Sequence, residues 1–160
     1  MTAIRVRAAQ AQDREILVEF NAAMALETEN KTLDPAVLAA GVGAVLGEPQ
    51  RGFYLLAECD GRVAGCLMIT FEWSDWRNGD WWWLQSVYIA PPWRRCGVFR
   101  ALYAEVERLA AAAPRVAGIR LYVERDNTRA QQTYAAFGLQ QTHYLMYEKT
   151  PGASSRPAGH

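Results

Sequence analysis

Asp60 and Gly61 separate two apolar runs in GFYLLAECDGRVAGCLMITFEW, and this pair limits the fold more than any other local feature. A two-residue turn with left-handed backbone at both central positions matches the twist of two antiparallel strands, and Asp-Gly suits it. The stretch therefore predicts a β-hairpin near the middle of the chain. Asn78-Gly79 gives a second turn signal, after which WWWLQSVYIA reads as the next strand and stops at Pro91-Pro92.

The flanks change period. AIRVRAA alternates Ile4, Val6 and Ala8 with Arg5 and Arg7, the pattern of a half-buried strand. From Asp13, read as an N-cap, Ile16, Leu17, Phe20 and Met24 fall at helical intervals. LETENKTLDP reads as the break after that helix, and Asp34-Pro35 as the cap and first position of another, ending near Leu46. After Gly97, the residues Val98, Leu102, Val106 and Leu109 define one face of a helix that Pro114 ends. GIRLYVE reads as a strand, Asn127 to Phe137 as a helix closed by Gly138, and LQQTHYLMYEK as one long or two short terminal strands. The expected order is β-α-α-β-β-β-α-β-α-β(β). That is an α/β (α+β) chain with a mixed sheet, neither doubly wound nor all-β. One domain over 1–149 is expected, with 150–160 as a flexible tail.

Composition narrows the function classes. At 160 residues with 51% apolar content, the chain can bury a real core. Seventeen basic and seventeen acidic residues cancel, which removes the usual charge footprint of a nucleic-acid binder. No apolar run reaches the ~20 residues of a membrane helix, and MTAIRVRAAQ lacks a signal-peptide core, so a cytoplasmic chain is expected. Cys59, Cys66 and Cys96 lack metal-site spacing, and two histidines leave little room for a histidine-based metal site or triad, so no metal is expected.

Chemistry concentrates in PPWRRCGVFRAL. A helix start presents unpaired N–H groups and partial positive charge, Gly97 allows close approach, and Arg94, Arg95 and Arg100 add charge suited to phosphate oxygens. Neither the phosphate loop ending in Gly-Lys-Ser/Thr nor the three-glycine dinucleotide fingerprint is present. The alternative reading is a solvated basic turn.

Arg94-Arg95-Cys96-Gly97-Val98-Phe99 resembles the Q/R-x-x-G-x-G/A signature of the GCN5-related N-acetyltransferases, the GNAT superfamily. LQSVYIAPPWRR resembles the strand before that signature, and ERDNTRAQQTYAAFGL resembles the later motif, with Asn127, Ala130, Tyr134, Phe137 and Gly138 in place. The element order agrees over almost the whole chain. The resemblance implies a mostly antiparallel sheet of six to seven strands with about four helices, and acetyl transfer from acetyl-coenzyme A to a primary amine of a small molecule or a peptide. A catalytically silent acyl-coenzyme A binding domain is the alternative.

It further implies that the pyrophosphate lies on the backbone of Arg95, Cys96, Gly97, Val98 and Phe99, with Arg94 at the edge. The pantetheine arm would pair with Val87 and Ile89, where the family's strand carries a bulge. The Val87 N–H would face the thioester carbonyl as an oxyanion donor, and Tyr134 would be the acid for the leaving thiolate. Many relatives place a glutamate where this chain has Gln85, which cannot accept a proton. Glu27, Glu29, Glu72 and Asp75 remain as base candidates, Glu72 and Glu27 foremost, unless the amine binds already neutral. Five of the six tryptophans lie between Trp73 and Trp83. They are either core or, with Glu27, Glu29, Glu72, Asp75 and Gln85, an aromatic and acidic wall for a cationic amine, with Trp73 as its aromatic contact. Phe99 replaces the signature's small residue, and its ring is expected to turn toward the core or an adenine-side wall. Terminal strands that exchange or pair would allow a homodimer.

Overall fold

The central hairpin forms as β2 (Gly52–Cys59) and β3 (Arg62–Ser74), paired from Cys59 opposite Arg62 to Gly52 opposite Thr70 with one register shift between Ala57 and Glu58. Asp60 and Gly61 take φ of 50° and 72°, as the primed turn requires. The computed structural model describes residues 3–152, so positions 153–160 of the expected tail lie outside the described residues. The chain divides into two units, one reaching to Leu121 and one starting at Tyr122.

In the first unit, β1 (Ile4–Ala8), β2, β3, β4 (Gly79–Ile89) and β5 (Val116–Arg120) form one sheet in chain order. The first four are antiparallel and β5 adds parallel to β4. α1 (Arg14–Glu29) and α2 (Pro35–Gly47) follow β1, and α3 (Val98–Ala112) precedes β5. Strand alternation divides the hairpin between two cores. Tyr54, Leu56, Cys66 and Tyr88 pack with Leu17, Phe20 and Val42 of α1 and α2. On the opposite parity Leu55, Ala57, Leu67 and Ile69 are buried, on the side where α3 brings Val98, Leu102 and Val106.

Several expectations change. The described residues hold five strands, not six to seven, and LQQTHYLMYEK carries none. Its Tyr144, Leu145, Met146 and Tyr147 are exposed. Aromatic and alternating residues give that segment strand propensity, but a strand exists only through a hydrogen-bonded neighbour. GIRLYVE forms a strand only up to Arg120. LETENK does not break α1: the helix runs through Glu27 and Glu29 and stops at Asn30, which takes the left-handed C-cap conformation at φ 51°. Asp34 caps α2 as expected, accepting the N–H groups of Ala36 and Val37 at 2.8 and 3.2 Å.

Asp13 does not cap α1 with its side chain. It is buried instead, held by Arg7 at 2.8 and 2.9 Å and by the Gln10 N–H at 2.7 Å. The Arg7 hydrogen bonds, against the cost of burial, keep its carboxyl below the usual carboxylate range. A lowered folded-state pKa contributes stability above the ordinary value near ~4 that is lost as pH falls through the lowered one. Asp13→Asn is therefore expected to cost about 2 kcal/mol at pH 7, since Arg7 keeps Glu58, and much less at low pH. Urea melts at pH 7 and pH 3 check this; an equal loss at both would assign the effect to packing.

Candidate functional site

Pro91 and Pro92 end β4 by withholding N–H donors, and the chain makes one short 3-10 turn before the loop Arg94 to Gly97. Arg95 and Gly97 both have positive φ, 62° and 83°. Gly97 is the N-cap of α3, and the first helical bond runs from the Ala101 N–H to its carbonyl. The N–H groups of Val98, Phe99 and Arg100 thus precede the helical ladder and point out of its positive end. Among the described residues a Cβ on Gly97 would meet only Ile4 Cδ1, at 3.9 Å, so conformation rather than crowding demands glycine. Arg94, Arg95, Cys96, Gly97 and Arg100 are exposed and Val98 is buried. The half-buried Phe99 ring stacks along α3 on Tyr103, centres 6.0 Å apart.

The strand entering this loop is irregular. Gln85 opposes Met68 and Tyr88 opposes Cys66, so Ser86 and Val87 share the single partner Leu67. Ser86 sits at φ 50° in this bulge. The Cys66 thiol lies beside it, with Sγ 3.7 Å from the Ser86 carbonyl oxygen, and burial pushes that thiol up to about 12. Ala90 donates its N–H to Ala64, so by alternation Val87 and Ile89 turn their peptide groups to the other edge. On that edge the parallel ladder to β5 ends at Trp83 opposite Arg120. Beyond Trp83, that edge of β4 has no strand beside it among the described residues of the first unit.

The acidic candidates separate sharply. Glu27, on the last turn of α1, accepts the Tyr88 hydroxyl at 2.9 Å and an Arg94 N–H at 2.6 Å. Arg94, and after it Tyr88, hold that carboxyl below the usual range, while burial and then Glu27 push the Tyr88 phenol up. Arg94 also donates from Nε to the Ile89 carbonyl at 2.9 Å. Glu29 is exposed and lies 3.9 Å from Lys31. Asp75 turns its carboxylate to the Trp76 N–H within the hairpin tip. Glu72 accepts the Trp83 indole N–H and an Arg120 N–H, each at 3.0 Å. Gln85 donates to the Thr70 hydroxyl.

The tryptophans divide by strand parity. The buried Trp82 packs with the half-buried Phe53 and Phe71 in an aromatic cluster, at 5.4 and 5.9 Å. Trp81 and Trp83 face the other way, and Trp73 and Trp76 are exposed near the tip. Arg120 lies 3.7 Å and Arg77 5.0 Å from the Trp81 ring centre, so this chain's own cations occupy that ring. Gly118 makes room for it: a Cβ there would come within 2.5 Å of the indole. The sequence reading missed Tyr88, Thr70 and Arg120. No local pattern marks them, because their partners lie 61, 15 and 48 positions away.

In the second unit, Asn127 accepts the Ala130 N–H at 3.0 Å and starts α4 (Thr128–Ala136). Gly138, at φ 86°, closes the helix, and the Leu139 N–H returns to the Tyr134 carbonyl. Tyr134 is half-buried and burial raises its hydroxyl pKa.

No curated protein matches the chain. Among solved structures, a possible acetyltransferase from Clostridium difficile 630 is 38% identical over 92% of this chain and 97% of its own, with a TM-score of 0.87. The aminoglycoside N-acetyltransferase AAC(6')-Iy in complex with CoA shares the fold at 16% identity, TM-score 0.75, covering 94% of this chain and 97% of that one. A GCN5-related N-acetyltransferase from Ralstonia eutropha JMP134 does so at 18% identity and TM-score 0.72, over 92% and 99%. The model of the acetyltransferase (GNAT) family matches residues 15–139, a span that takes in the hairpin, the bulged strand, the Gly97 loop and α4. With that match over most of its length, the chain belongs to the GNAT acetyltransferase family.

Proposed function

We propose that the chain transfers the acetyl group of acetyl-coenzyme A to a primary amine of a small molecule. One observation carries the reading: β4 leaves its parallel partner after Trp83, in the same strand that runs into the left-handed Gly97 loop. Bound acetyl-coenzyme A supplies an acyl carbon already activated as a thioester. The residues present fit it. The N–H groups of Val98 to Arg100 and the positive φ of Gly97 suit a pyrophosphate, and Arg95 and Arg100 add charge. The outward peptide group of Val87 and the N–H of Ile89, whose carbonyl Arg94 already takes, suit an amide-bearing arm laid along the edge.

The Val87 N–H, fixed by the bulge, then serves as donor to the carbonyl oxygen as negative charge builds on it. Tyr134, which the resemblance to the family's later motif nominates as the acid, is assigned the proton for the departing sulfur, and burial, by raising its pKa, favours the protonated hydroxyl. Gln85 cannot take the amine's proton. Glu72 is occupied by Trp83 and Arg120, so an acceptor that binds already neutral suits this site best; the proton its nitrogen sheds as the amide forms passes to solvent, from which Tyr134 regains the one it gave to the sulfur. Glu29, Glu72, Trp73, Asp75 and Gln85 are assigned to the acceptor side.

Mixing the protein with acetyl-coenzyme A and a panel of primary amines, and following thiol release, tests the reaction. Turnover on an amine supports it. Thermal stabilisation by coenzyme A without turnover on any amine favours a silent acyl-coenzyme A binding domain, and absence of binding removes both readings. The neutral-amine step has its own test. The pH at which kcat/KM levels off should follow the pKa of each acceptor; one common plateau for acceptors of different pKa would restore an enzyme base.

A further inference from the structure

We propose that Glu27 is a positioning residue, which ties the end of α1 to the loop that opens α3 and thereby sets the affinity of that loop for coenzyme A. The inference rests on the acyltransferase reading for its ligand, but not for its geometry. Both oxygens of the Glu27 carboxylate are used: Oε1 takes the Tyr88 hydroxyl and Oε2 the Arg94 guanidinium. Arg94 is used on three sides, by Glu27, by the Ile89 carbonyl, and by the Tyr88 ring, which its Cζ approaches to 5.7 Å from the centre. Its planar fork is thereby aimed back along β4 rather than outward, and the guanidinium holds the strand's last carbonyl beside the turn of Pro91 to Trp93.

Three elements meet in this contact. The last turn of α1 supplies the carboxylate, β4 supplies the phenol directly after the bulge, and the loop supplies the arginine. Two residues beyond it comes Cys96, then the left-handed Gly97. Fixing Arg94 fixes the direction from which Arg95 to Gly97 approach the helix start, so the N–H groups there are preorganised before any anion arrives. An isolated ion pair this exposed contributes little. A bridge with one arginine tied to a carboxylate, a carbonyl and a ring is worth more, because each contact restrains the same rotamers.

Cys96 gives a readout that needs no ligand. It is the exposed thiol of the loop, its Sγ 3.4 Å from the Arg94 carbonyl, whereas Cys59 and Cys66 are buried. The full-length protein is labelled with a maleimide, and the rate at Cys96 is compared among wild type, Glu27→Gln, Arg94→Lys, Tyr88→Phe and the Glu27→Gln/Arg94→Lys double variant. Labelling is expected to quicken about fivefold in Glu27→Gln and Arg94→Lys, less in Tyr88→Phe, and no further in the double variant. Arg94→Lys keeps the charge and Tyr88→Phe changes none, so their effect reports loop geometry rather than the thiolate fraction.

Calorimetry with coenzyme A should show Kd rising about fivefold in Glu27→Gln, which is ~1 kcal/mol at 1.4 kcal/mol per tenfold. Turnover at saturating coenzyme should fall by a smaller factor. Wild-type labelling rates in both Glu27→Gln and Arg94→Lys, or additive effects in the double variant, overturn the proposal. Collapse of turnover with labelling and Kd unchanged would make Glu27 the base and overturn it too. A wild-type protein that does not bind coenzyme A would sink the acyltransferase reading while leaving the labelling comparison to decide the positioning role.

Discussion

Tyr134→Phe lowers turnover by about two orders of magnitude, while the Kd for coenzyme A stays within about twofold. A hydroxyl that gives up its proton only as the sulfur leaves contributes to the transition state and little to binding, so the loss belongs in kcat. The substitution keeps the ring, which is half-buried on α4, and removes one oxygen. A melting curve is the control for folding. Steady-state kinetics with a single good amine, together with calorimetry for the coenzyme, separate the two quantities. Turnover equal to wild type would take the acid role from Tyr134 and leave solvent to protonate the thiolate.

Gly97→Val raises the Kd for coenzyme A by at least about tenfold. The cause is the backbone, since Gly97 holds φ 83° with nothing among the described residues but Ile4 Cδ1 near the site of a Cβ. A β-branched residue in left-handed backbone costs on the order of 1–2 kcal/mol, which the loop can relieve only by turning its peptide groups out of place. Gly97→Ala lacks the branch and should give a smaller change in the same direction, which distinguishes backbone strain from bulk. An unaltered Kd in Gly97→Val would place the phosphates elsewhere on the protein.

The parts of the fold that could be read from the sequence are those decided within a few residues. Asp60-Gly61 makes its own turn, and Asp34 caps α2 with its own carboxylate two and three residues on. The alternation in β1 and the spacing in α3 likewise carry their own signal. What escaped was decided by distant partners. Asp13 looks like a helix cap until Arg7 claims it from β1. The end of α1 is set by the left-handed backbone of Asn30, not by a change of composition, which is why Glu27 and Glu29 lie on a helix rather than in a loop. LQQTHYLMYEK has strand chemistry but no ladder.

The candidate site divides the same way. Gly97, Arg94 and Arg95 stand out in sequence because a glycine flanked by charge before a helix has few uses. The bulge at Ser86 is silent, since it is a register slip against β3 across the hairpin, where Cys66 lies 3.7 Å from the Ser86 carbonyl oxygen. The bond from Tyr88 to Glu27 crosses 61 positions, and nothing in either neighbourhood announces it.

The early parting of β4 from β5 has a cost as well as a use. A row of peptide groups with no neighbouring strand among the described residues of the first unit is a template for an extended chain, including another copy of this one. If that stretch takes an amide-bearing ligand as proposed, the empty protein leaves it open to sticky association. The twist introduced at Ser86 and Val87 blunts that hazard, because a bent edge matches a flat strand poorly. Ligand and solubility then act in the same direction, and the filled protein should tolerate concentration better than the empty one.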